Sequence, residues 1–358
     1  MATFQQAPTV QERDAAEWAE PPPPSRGSDY AELSRRVKQA GLLDRRPAYY
    51  AAKTTLTSVL LAAGWTAFFL LGDSWWQLAT AVFLAFAFTQ VAFLGHDAGH
   101  RQVFRTRRAN GRAGLVLGNL LIGLSYGWWV GKHNRHHSNP NHVDLDPDVT
   151  VGAIAFTADQ ARAKQGLTRV IARHQAYLFF PLLLLEAAHL HAASVRAVVR
   201  GTVRSSALEA LLLLVHGVGY LAAVLLVLSP LQAAVFVLVQ QGLFGLYLGC
   251  CFAPNHKGMP VLEEGREPDY LRRQVLTSRN VRGSRVVDFA LGGLNYQIEH
   301  HLFPSMPRPS LRRAQPLVRA FCAQRGLAYS ESSVVGSYAE ALRHLHAAGA
   351  PLRPAVTD

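Results

Sequence analysis

Four apolar segments set the strongest limit on how this chain can fold. They are residues 54–71, 75–94, 207–228 and 231–252 of a 358-residue sequence. A bilayer core about 30 Å thick requires about 20 residues of α-helix. Backbone polar groups in lipid must be satisfied within the chain, so helices are the spanning elements. The sequence therefore predicts an all-α integral membrane protein with four transmembrane helices.

The connections between these segments predict two helical hairpins. Residues 72–74 separate the first pair, and only Ser229 and Pro230 separate the second. Neither turn contains Lys or Arg, and by the positive-inside rule the ends flanked by basic residues are cytoplasmic. Both termini and a helical cap are therefore expected in the cytoplasm. The flanking basic residues are Arg101, Arg105, Arg107, Arg108, Arg112, Arg196, Arg200, Arg204 and Lys257.

The remainder of the chain divides around this membrane domain. Residues 1–48 are polar and include a run of four prolines, which predicts a disordered tail with a short helix near residues 30–40. No signal peptide is expected there. Residues 49–325 form the membrane domain, and residues 326–358 form a C-terminal cytoplasmic helix and tail.

A fifth apolar stretch, residues 113–130, is nearly long enough to span but is interrupted by four glycines: Gly114, Gly118, Gly123 and Gly127. If it crossed the membrane, His100 and His133 would lie on opposite sides. We therefore interpret it as a re-entrant helix that returns to the cytoplasmic side. Residues 177–185 are too short to span and predict an interfacial helix.

Charge and cysteine content exclude other classes. The formal net charge is +12, but the basic residues lie beside apolar segments, which favours an anionic membrane surface over nucleic acid. The chain has three cysteines and no C-x-x-C pair. Rubredoxin-like iron and a dithiol redox site are therefore not expected.

Three clusters of histidine follow the apolar segments at helical spacings, which place each cluster on one helix face. His256 has the same position at the end of the fourth segment and completes eight candidate metal ligands. Imidazole is the commonest side-chain metal ligand. The eight are His96, His100, His133, His136, His137, His256, His300 and His301.

Eight imidazoles exceed what one ion can bind, so two metals are the simpler hypothesis. Structural zinc usually takes cysteine, and none lies beside the clusters. Copper is allowed on ligand type alone. Two irons with an all-nitrogen shell would suit oxygen activation beside the membrane.

The arrangement resembles the integral-membrane fatty acid desaturases over residues 50–325. The matching motifs are H-x3-H at His96, H-x2-H-H at His133 and Q-x2-H-H at Gln297, together with flanking residues such as Gly95-His-Asp-Ala-Gly-His100. The resemblance implies two irons that use dioxygen to remove two hydrogens from adjacent carbons of an acyl chain. The irons and dioxygen carry the chemistry, with no catalytic side chain beyond the metal centre.

Residue by residue, the resemblance implies that the seven histidines of the boxes are iron ligands. His256 matches an extra ligand of acyl-CoA desaturases, and Asn255 would hold a metal-bound water. Gln297 departs from the pattern, because many members carry a ligating His there. It would ligate, orient a water or leave a position open. Gln at this position occurs in a subgroup that includes front-end desaturases and some bacterial acyl-CoA desaturases, so regiochemistry stays open.

Other polar residues have structural interpretations. Asp97 and Glu299 lie inside boxes and are candidates for fixing a ring tautomer. We expect His142 to order its loop with Asp144, Asp146 and Asp148, and His216 to be a neutral histidine bonded across the helix bundle. His189 and His191 are expected to face lipid headgroups, and His344 and His346 to face solvent.

The resemblance also implies partners. The N-terminus shows no His-Pro-Gly-Gly motif of a fused haem domain and no flavin site is indicated, so a ferredoxin-like donor and its NAD(P)H reductase are expected. The substrate would be an acyl-CoA or a membrane lipid. Ala- and Arg-rich usage favours a bacterial cytoplasmic membrane.

Two alternatives stay open at this point. The same boxes support acyl hydroxylation or epoxidation, which only product analysis separates. A His-rich metal transporter needs polar groups at mid-bilayer, whereas the histidine clusters here lie outside it. A haem electron carrier would pair histidines deep in opposing spans, and His216 is the one histidine that the sequence places there.

Overall fold

The computed structural model describes residues 28–149, 152–265 and 268–354. Four of its helices are long and apolar enough to cross a membrane, as the sequence predicts. The helices are α1 Asp29–Gln39, α2 Pro47–Leu71, α3 Gln77–Gly99, α4 Arg107–Gly114, α5 Tyr126–Ser138, α6 Ala158–Ala163, α7 Gly166–Leu183, α8 Glu186–Val199, α9 Ser206–Val227, α10 Pro230–His256, α11 Tyr270–Leu276, α12 Arg285–Ala290, α13 Gln297–Leu302, α14 Arg308–Gln324 and α15 Val334–Ala348.

Little other regular structure occurs in these residues. A π-helical segment, Leu115–Leu121, continues α4, and a short 3-10 helix, Ala350–Leu352, follows α15. Strands β1 (Asn280–Arg282) and β2 (Glu331–Ser333) pair in parallel, with Val281 opposite Ser332. The all-α class is therefore confirmed.

Helix α3 lies at the centre of the four spanning helices. Of its apolar window 67% is buried, against 17% for α2 and 11% for α9. It packs against α2 and α10, and aromatic residues such as Phe68, Phe88 and Phe244 fill the contact. The low burial of α2 and α9 leaves apolar faces of the kind that contact lipid.

The two short turns meet at one end of the spanning helices. The backbone N–H of Ser229, which precedes α10, donates to the Asp73 carboxylate between α2 and α3 at 2.9 Å. Prolines at the first positions of α2 and α10 suit helix starts, where the missing N–H costs nothing. The histidines at the far ends of α3 and α10 are therefore at the opposite end of these helices.

The glycine-interrupted stretch turns back, as predicted. The axis bends by 114° between the helix pair Arg107–Leu121 and Tyr126–Ser138. Gly123 has a φ of +68°, which glycine adopts without strain, and a Cβ there would meet the His216 ring. Because the chain reverses, His100 and His133 come within hydrogen-bond distance.

A buried carboxylate holds this reversal in place. Glu209 of α9, 2% exposed, accepts from Asn119 Nδ2 at 3.0 Å, Ser125 Oγ at 2.5 Å and Gly127 N at 3.3 Å. A Cβ at position 127 would lie 2.3 Å from the Glu209 carboxylate, so the backbone approaches that closely only as glycine. The network ties the re-entrant segment to a spanning helix.

The cap includes residues expected in the N-terminal tail. The short helix predicted near residues 30–40 is confirmed as α1, but it does not belong to a disordered tail, because Leu33 and Val37 are fully buried against α11 and α14. Helix α1 is amphipathic, so it has an apolar face although the composition of residues 1–48 is polar overall. Residues 1–27 lie outside the described residues.

The C-terminal residues are also integrated into the cap rather than forming a separate tail. Strand β2 pairs with β1, and α15 packs against α7 and the end of α10. Leu345 is fully buried between them. The predicted boundary at residue 326 therefore separates segments that share one core, and residues 355–358 lie outside the described residues.

We predict that Glu209→Ala lowers the thermal unfolding temperature of the purified protein in detergent. The change leaves Asn119 and Ser125 buried without their acceptor, which costs about 1–3 kcal/mol for each unsatisfied group. The exposed Glu263 provides the control, since Glu263→Ala removes a carboxylate from a surface loop. Equal unfolding temperatures for the two variants would contradict the role assigned to Glu209.

Candidate metal centre

Four of the candidate histidines converge beside the end of α3 and form cluster A, defined as His96, His100, His133 and His300. One ring nitrogen from each lies within 4.8 Å of the others. His96 and His100 lie on successive turns at the end of α3, α5 supplies His133, and α13 supplies His300. Three segments far apart in sequence thus provide one all-nitrogen donor set.

A second set, cluster B, comprises His136, His256 and His301, again with ring nitrogens within 4.8 Å of one another. His256 is the last residue of α10, which extends beyond the predicted apolar segment. His256 Nε2 and His301 Nε2 are 3.0 Å apart. The structure therefore groups His256 with residues of the second and third boxes.

His137 lies between the two clusters. Its Nε2 is 3.1 Å from His133 Nε2 in cluster A, and its ring stacks on His301 in cluster B with centroids 4.2 Å apart. His300 is also close, with ring centroids 4.7 Å from His137. Because His137 contacts histidines of both clusters, clusters A and B form one continuous centre.

Helical periodicity explains this distribution. His133 and His137 are four residues apart on α5 and point to the same side, whereas His136 is rotated by about 100° from His137. The same rotation separates His300 and His301 on α13, so one faces cluster A and the other cluster B. Two adjacent histidines on a helix therefore serve two neighbouring sites.

The protonation state of the rings suits metal binding. Burial lowers the pKa of His100, His133, His137, His300 and His301 well below the usual value, and neighbouring imidazoles lower it further. These rings are therefore neutral at pH 7. A neutral imidazole offers a nitrogen lone pair to a metal.

Hydrogen bonds fix which nitrogen faces inward in cluster B. His256 Nδ1 donates to the Thr277 carbonyl and His301 Nδ1 donates to Gln274 Oε1, both at 2.9 Å. Their Nε2 lone pairs then point at each other. Two lone pairs at 3.0 Å repel unless a cation lies between them, so this arrangement fits a metal ion.

Several polar atoms of the residues at the centre are buried without a hydrogen-bond partner among the residues that the structure describes. They are His96 Nε2, His300 Nε2, His137 Nδ1 and Asn255 Oδ1. Buried polar atoms in folded proteins nearly always have partners. Metal coordination would satisfy the nitrogens of His96 and His300, which belong to cluster A, and the donor set of imidazoles suits iron, copper or zinc.

Asn255 and Gln297 lie on the cluster B side, which has fewer imidazoles than cluster A. Asn255 Nδ2 donates to the carbonyls of Cys251 and Leu294, both at 3.1 Å, and to Gln297 Oε1 at 3.2 Å. Gln297 Nε2 is 2.9 Å from His256 Nε2. Both side chains therefore place amide groups beside cluster B.

Asp97 occupies the position expected of a carboxylate behind a ligand. Its Oδ1 is 3.5 Å from His96 Nδ1, and its Oδ2 is 2.6 Å from the Arg308 guanidinium. Glu299 differs, because no cluster histidine contacts its carboxylate. It accepts from Asn280 Nδ2 and from Tyr329 Oη, both at 2.7 Å, and burial raises its pKa to about 7.

The acidic loop after the second box has a role that the sequence interpretation misplaced. Asp146 and Asp148 face His136 rather than His142. His136 Nδ1 is 2.9 Å from Asp146 Oδ2 and 3.5 Å from Asp148 Oδ2. Burial lowers the pKa of His136, but the hydrogen bond and charge of Asp146 outweigh this and raise it.

Only part of the predicted loop role of His142 remains. Its Nδ1 accepts from the Asp144 backbone N–H at 3.2 Å, and it belongs neither to cluster A, to cluster B nor to the group of His136 with Asp146 and Asp148. The three Asp residues after the second box were the sequence feature that indicated a contact with a histidine. Sequence spacing alone did not show which histidine they reach.

Histidines outside the centre have structural contacts. His216 Nδ1 donates to the Leu120 carbonyl at 2.9 Å, as predicted for a histidine bonded across the bundle. His191 does not simply face headgroups, because its ring bonds the Gly123 carbonyl and Gln241 Oε1. His344 is half-buried rather than solvent-facing, and burial lowers its pKa to about 4.

The fold and centre define a helical membrane protein with a buried histidine-rich metal site. A sequence profile described as fatty acid desaturase matches residues 73–333. The chain therefore belongs to the fatty acid desaturase family.

Individual relatives agree with this assignment. The chain is 32% identical to an acyl-lipid (9-3)-desaturase of Physcomitrium patens over 90% of its own length and 63% of that protein. It is 30% identical to the Delta(6)-fatty-acid desaturase fat-3 of Caenorhabditis elegans, over 88% of the chain and 74% of the relative. It is 29% identical to human fatty acid desaturase 3, over 90% and 72% respectively. The chain thus spans less than two thirds of the moss protein's length.

We predict that His300→Ala and His301→Ala each remove one metal ion, because the two rings belong to different clusters. Bound metal, measured by mass spectrometry of the purified protein, should fall from about two ions per chain to about one in either variant. His346→Ala, on the exposed side of α15, should leave the metal content unchanged. Retention of both ions in either box variant would contradict the assignment to clusters.

A second comparison tests the corrected role of the acidic loop. Asp146→Ala removes the carboxylate that holds His136, so metal affinity should fall about 10- to 100-fold. Asp144→Ala, two residues away and exposed, should have little effect. Metal-chelator competition measures both affinities. Similar losses in the two variants would show that the loop, not the Asp146 carboxylate, is responsible.

Proposed function

We propose that this protein is a di-iron, dioxygen-dependent desaturase that introduces a cis double bond into a long acyl chain. The observation that carries the proposal is the pair of adjacent all-nitrogen clusters in a chain of the desaturase family. Two irons bound there would supply the activation of dioxygen and the removal of two hydrogens from the acyl chain.

The residues of the chain contribute position and charge rather than acid–base chemistry. Neutral imidazoles keep their lone pairs directed inward, and the carbonyl of Thr277 and the amide of Gln274 hold the rings of cluster B. Burial of the centre excludes water from the reacting carbons. The amides of Asn255 and Gln297 would complete or modulate the ligand shell beside His256.

For the substrate, we propose a long saturated or monounsaturated acyl chain carried as a CoA thioester or a membrane lipid. The relatives' names give positions 5, 6 and 8 for the new double bond, and acyl-lipid for one substrate. These names support a position nearer the carboxyl end than the methyl end. They are the reason to include both acyl forms in the experiment.

For electron delivery, we propose a ferredoxin-like carrier reduced by an NAD(P)H-dependent reductase. Arg105, Arg107 and Arg108 are exposed on the segment that follows α3 and would attract an acidic carrier. The same positive charges support a cytoplasmic position for the centre, with both termini on that side. Composition favours a bacterial membrane, whereas the relatives reported above are from a moss, a nematode and a human.

The direct experiment is to express the chain with a competent donor system and locate double bonds in the lipids by gas chromatography and mass spectrometry. We expect one new cis double bond, absent with His300→Ala and retained with His346→Ala. Hydroxylated or epoxidised chains would instead indicate the related oxygen-insertion chemistry. An iron-loaded, folded protein that forms no oxidised product from either acyl form would refute the proposal.

A further inference from the structure

Arg308 is a buried arginine that contacts the metal centre without approaching the metal. It lies at the first turn of α14 and is 7% exposed. Its Nη2 lies 2.6 Å from Asp97 Oδ2 and donates to the Phe93 carbonyl at 2.8 Å. Burying an ion pair costs desolvation free energy, so further contacts to the charged groups are needed to offset it.

The compensation comes from three separate segments that hold the arginine. Its backbone N–H donates to the Tyr50 hydroxyl of α2 at 3.3 Å, and its guanidinium lies over the Phe93 ring of α3. Gly293, with a φ of +80°, lies beneath its side chain, where a Cβ would come within 2.6 Å of Arg308 Cγ. The side chain is therefore confined between Phe93 and Gly293, with Nη2 bonded to the Phe93 carbonyl.

Asp97 connects this fixed charge to a ligand. Its other carboxylate oxygen faces His96 Nδ1 at 3.5 Å, and His96 Nε2 is buried beside the other nitrogens of cluster A. A carboxylate at Nδ1 favours the tautomer with the proton on that nitrogen and the lone pair on Nε2. The carboxylate can act in this way only while it is held at a defined position relative to the ring.

We propose that Arg308 is a positioning residue for cluster A. It holds the Asp97 carboxylate in place through the 2.6 Å contact, and Asp97 in turn orients the His96 ring. The inference rests on the proposed metal function of the centre. It assigns Arg308 to one of the two sites, because cluster B takes its orienting contacts from Asp146, Thr277 and Gln274 instead.

The test compares the iron bound by Arg308→Met and Arg308→Lys with that of the unmodified full chain. The matched control is Arg312→Met, one turn further along α14, where the arginine pairs with Asp288 at the surface. Protein loaded with ⁵⁷Fe is examined by chelator competition and Mössbauer spectroscopy. Neither readout requires turnover.

For Arg308→Met we expect one iron to be held about 10- to 100-fold more weakly, with its spectral component changed and the other component preserved. Arg308→Lys, which keeps the charge, should recover part of the lost affinity. Asp97→Asn should reproduce the effect of Arg308→Met. The double variant should be no worse than either single variant, because both act through one contact.

Several results would overturn the inference. They are unchanged affinity for both irons in folded Arg308→Met, equal loss of both irons, or additive losses in the double variant. If Arg308→Met does not fold, Arg308→Lys and Asp97→Asn decide the question by the same measurements. An unmodified protein that binds no iron would refute the proposed function itself, which is a different outcome from any of these.

Discussion

The rest of the structure depends on gathering eight imidazoles at one centre, where Nε2 atoms of neighbouring rings lie 2.9–3.1 Å apart. Burial disfavours protonation of most of these rings, because charged imidazolium groups so close together would repel in a low dielectric. His136 is the exception, since its bond to Asp146 raises its pKa. Neutral rings in turn must have their tautomers fixed, or each would present a proton where a lone pair is needed. Many residues outside the spanning helices donate or accept the hydrogen bonds that fix these tautomers.

The supporting groups come from segments that are distant in sequence. Asp146 follows the second box, Thr277 and Gln274 lie on or next to α11, and Asp97 is held by Arg308 from α14. Glu299, next to His300 in the third box, is bonded by Tyr329, which lies two residues before β2. A site assembled from so many elements requires the re-entrant segment, the cap and the C-terminal helix to pack as one body, and the buried contacts of Leu33, Glu209 and Leu345 show that they do.

Much of the architecture could be predicted from the sequence because its signals are local. A run of about 20 apolar residues has one structural outcome in a bilayer, and histidines at helical spacing share a face. Four spanning helices and the re-entrant segment follow from these rules.

The division of the histidines into two clusters could not be predicted from them, since it depends on how α5, α10 and α13 approach one another. Asp146 and Arg308 were missed for the same reason: Asp146 contacts the candidate ligand His136, and Arg308 contacts Asp97, through tertiary arrangements that spacing does not encode. The α1 helix was assigned to a tail because only two of its residues carry the buried face.

The central claim is that two adjacent metal sites share this histidine centre. Anomalous scattering recorded at the iron edge from crystals of the iron-loaded protein tests it most directly. The account predicts two peaks, one among His96, His100, His133 and His300, and one among His136, His256 and His301, with His137 beside both. A single peak, or peaks at the zinc edge with none at the iron edge, would contradict it.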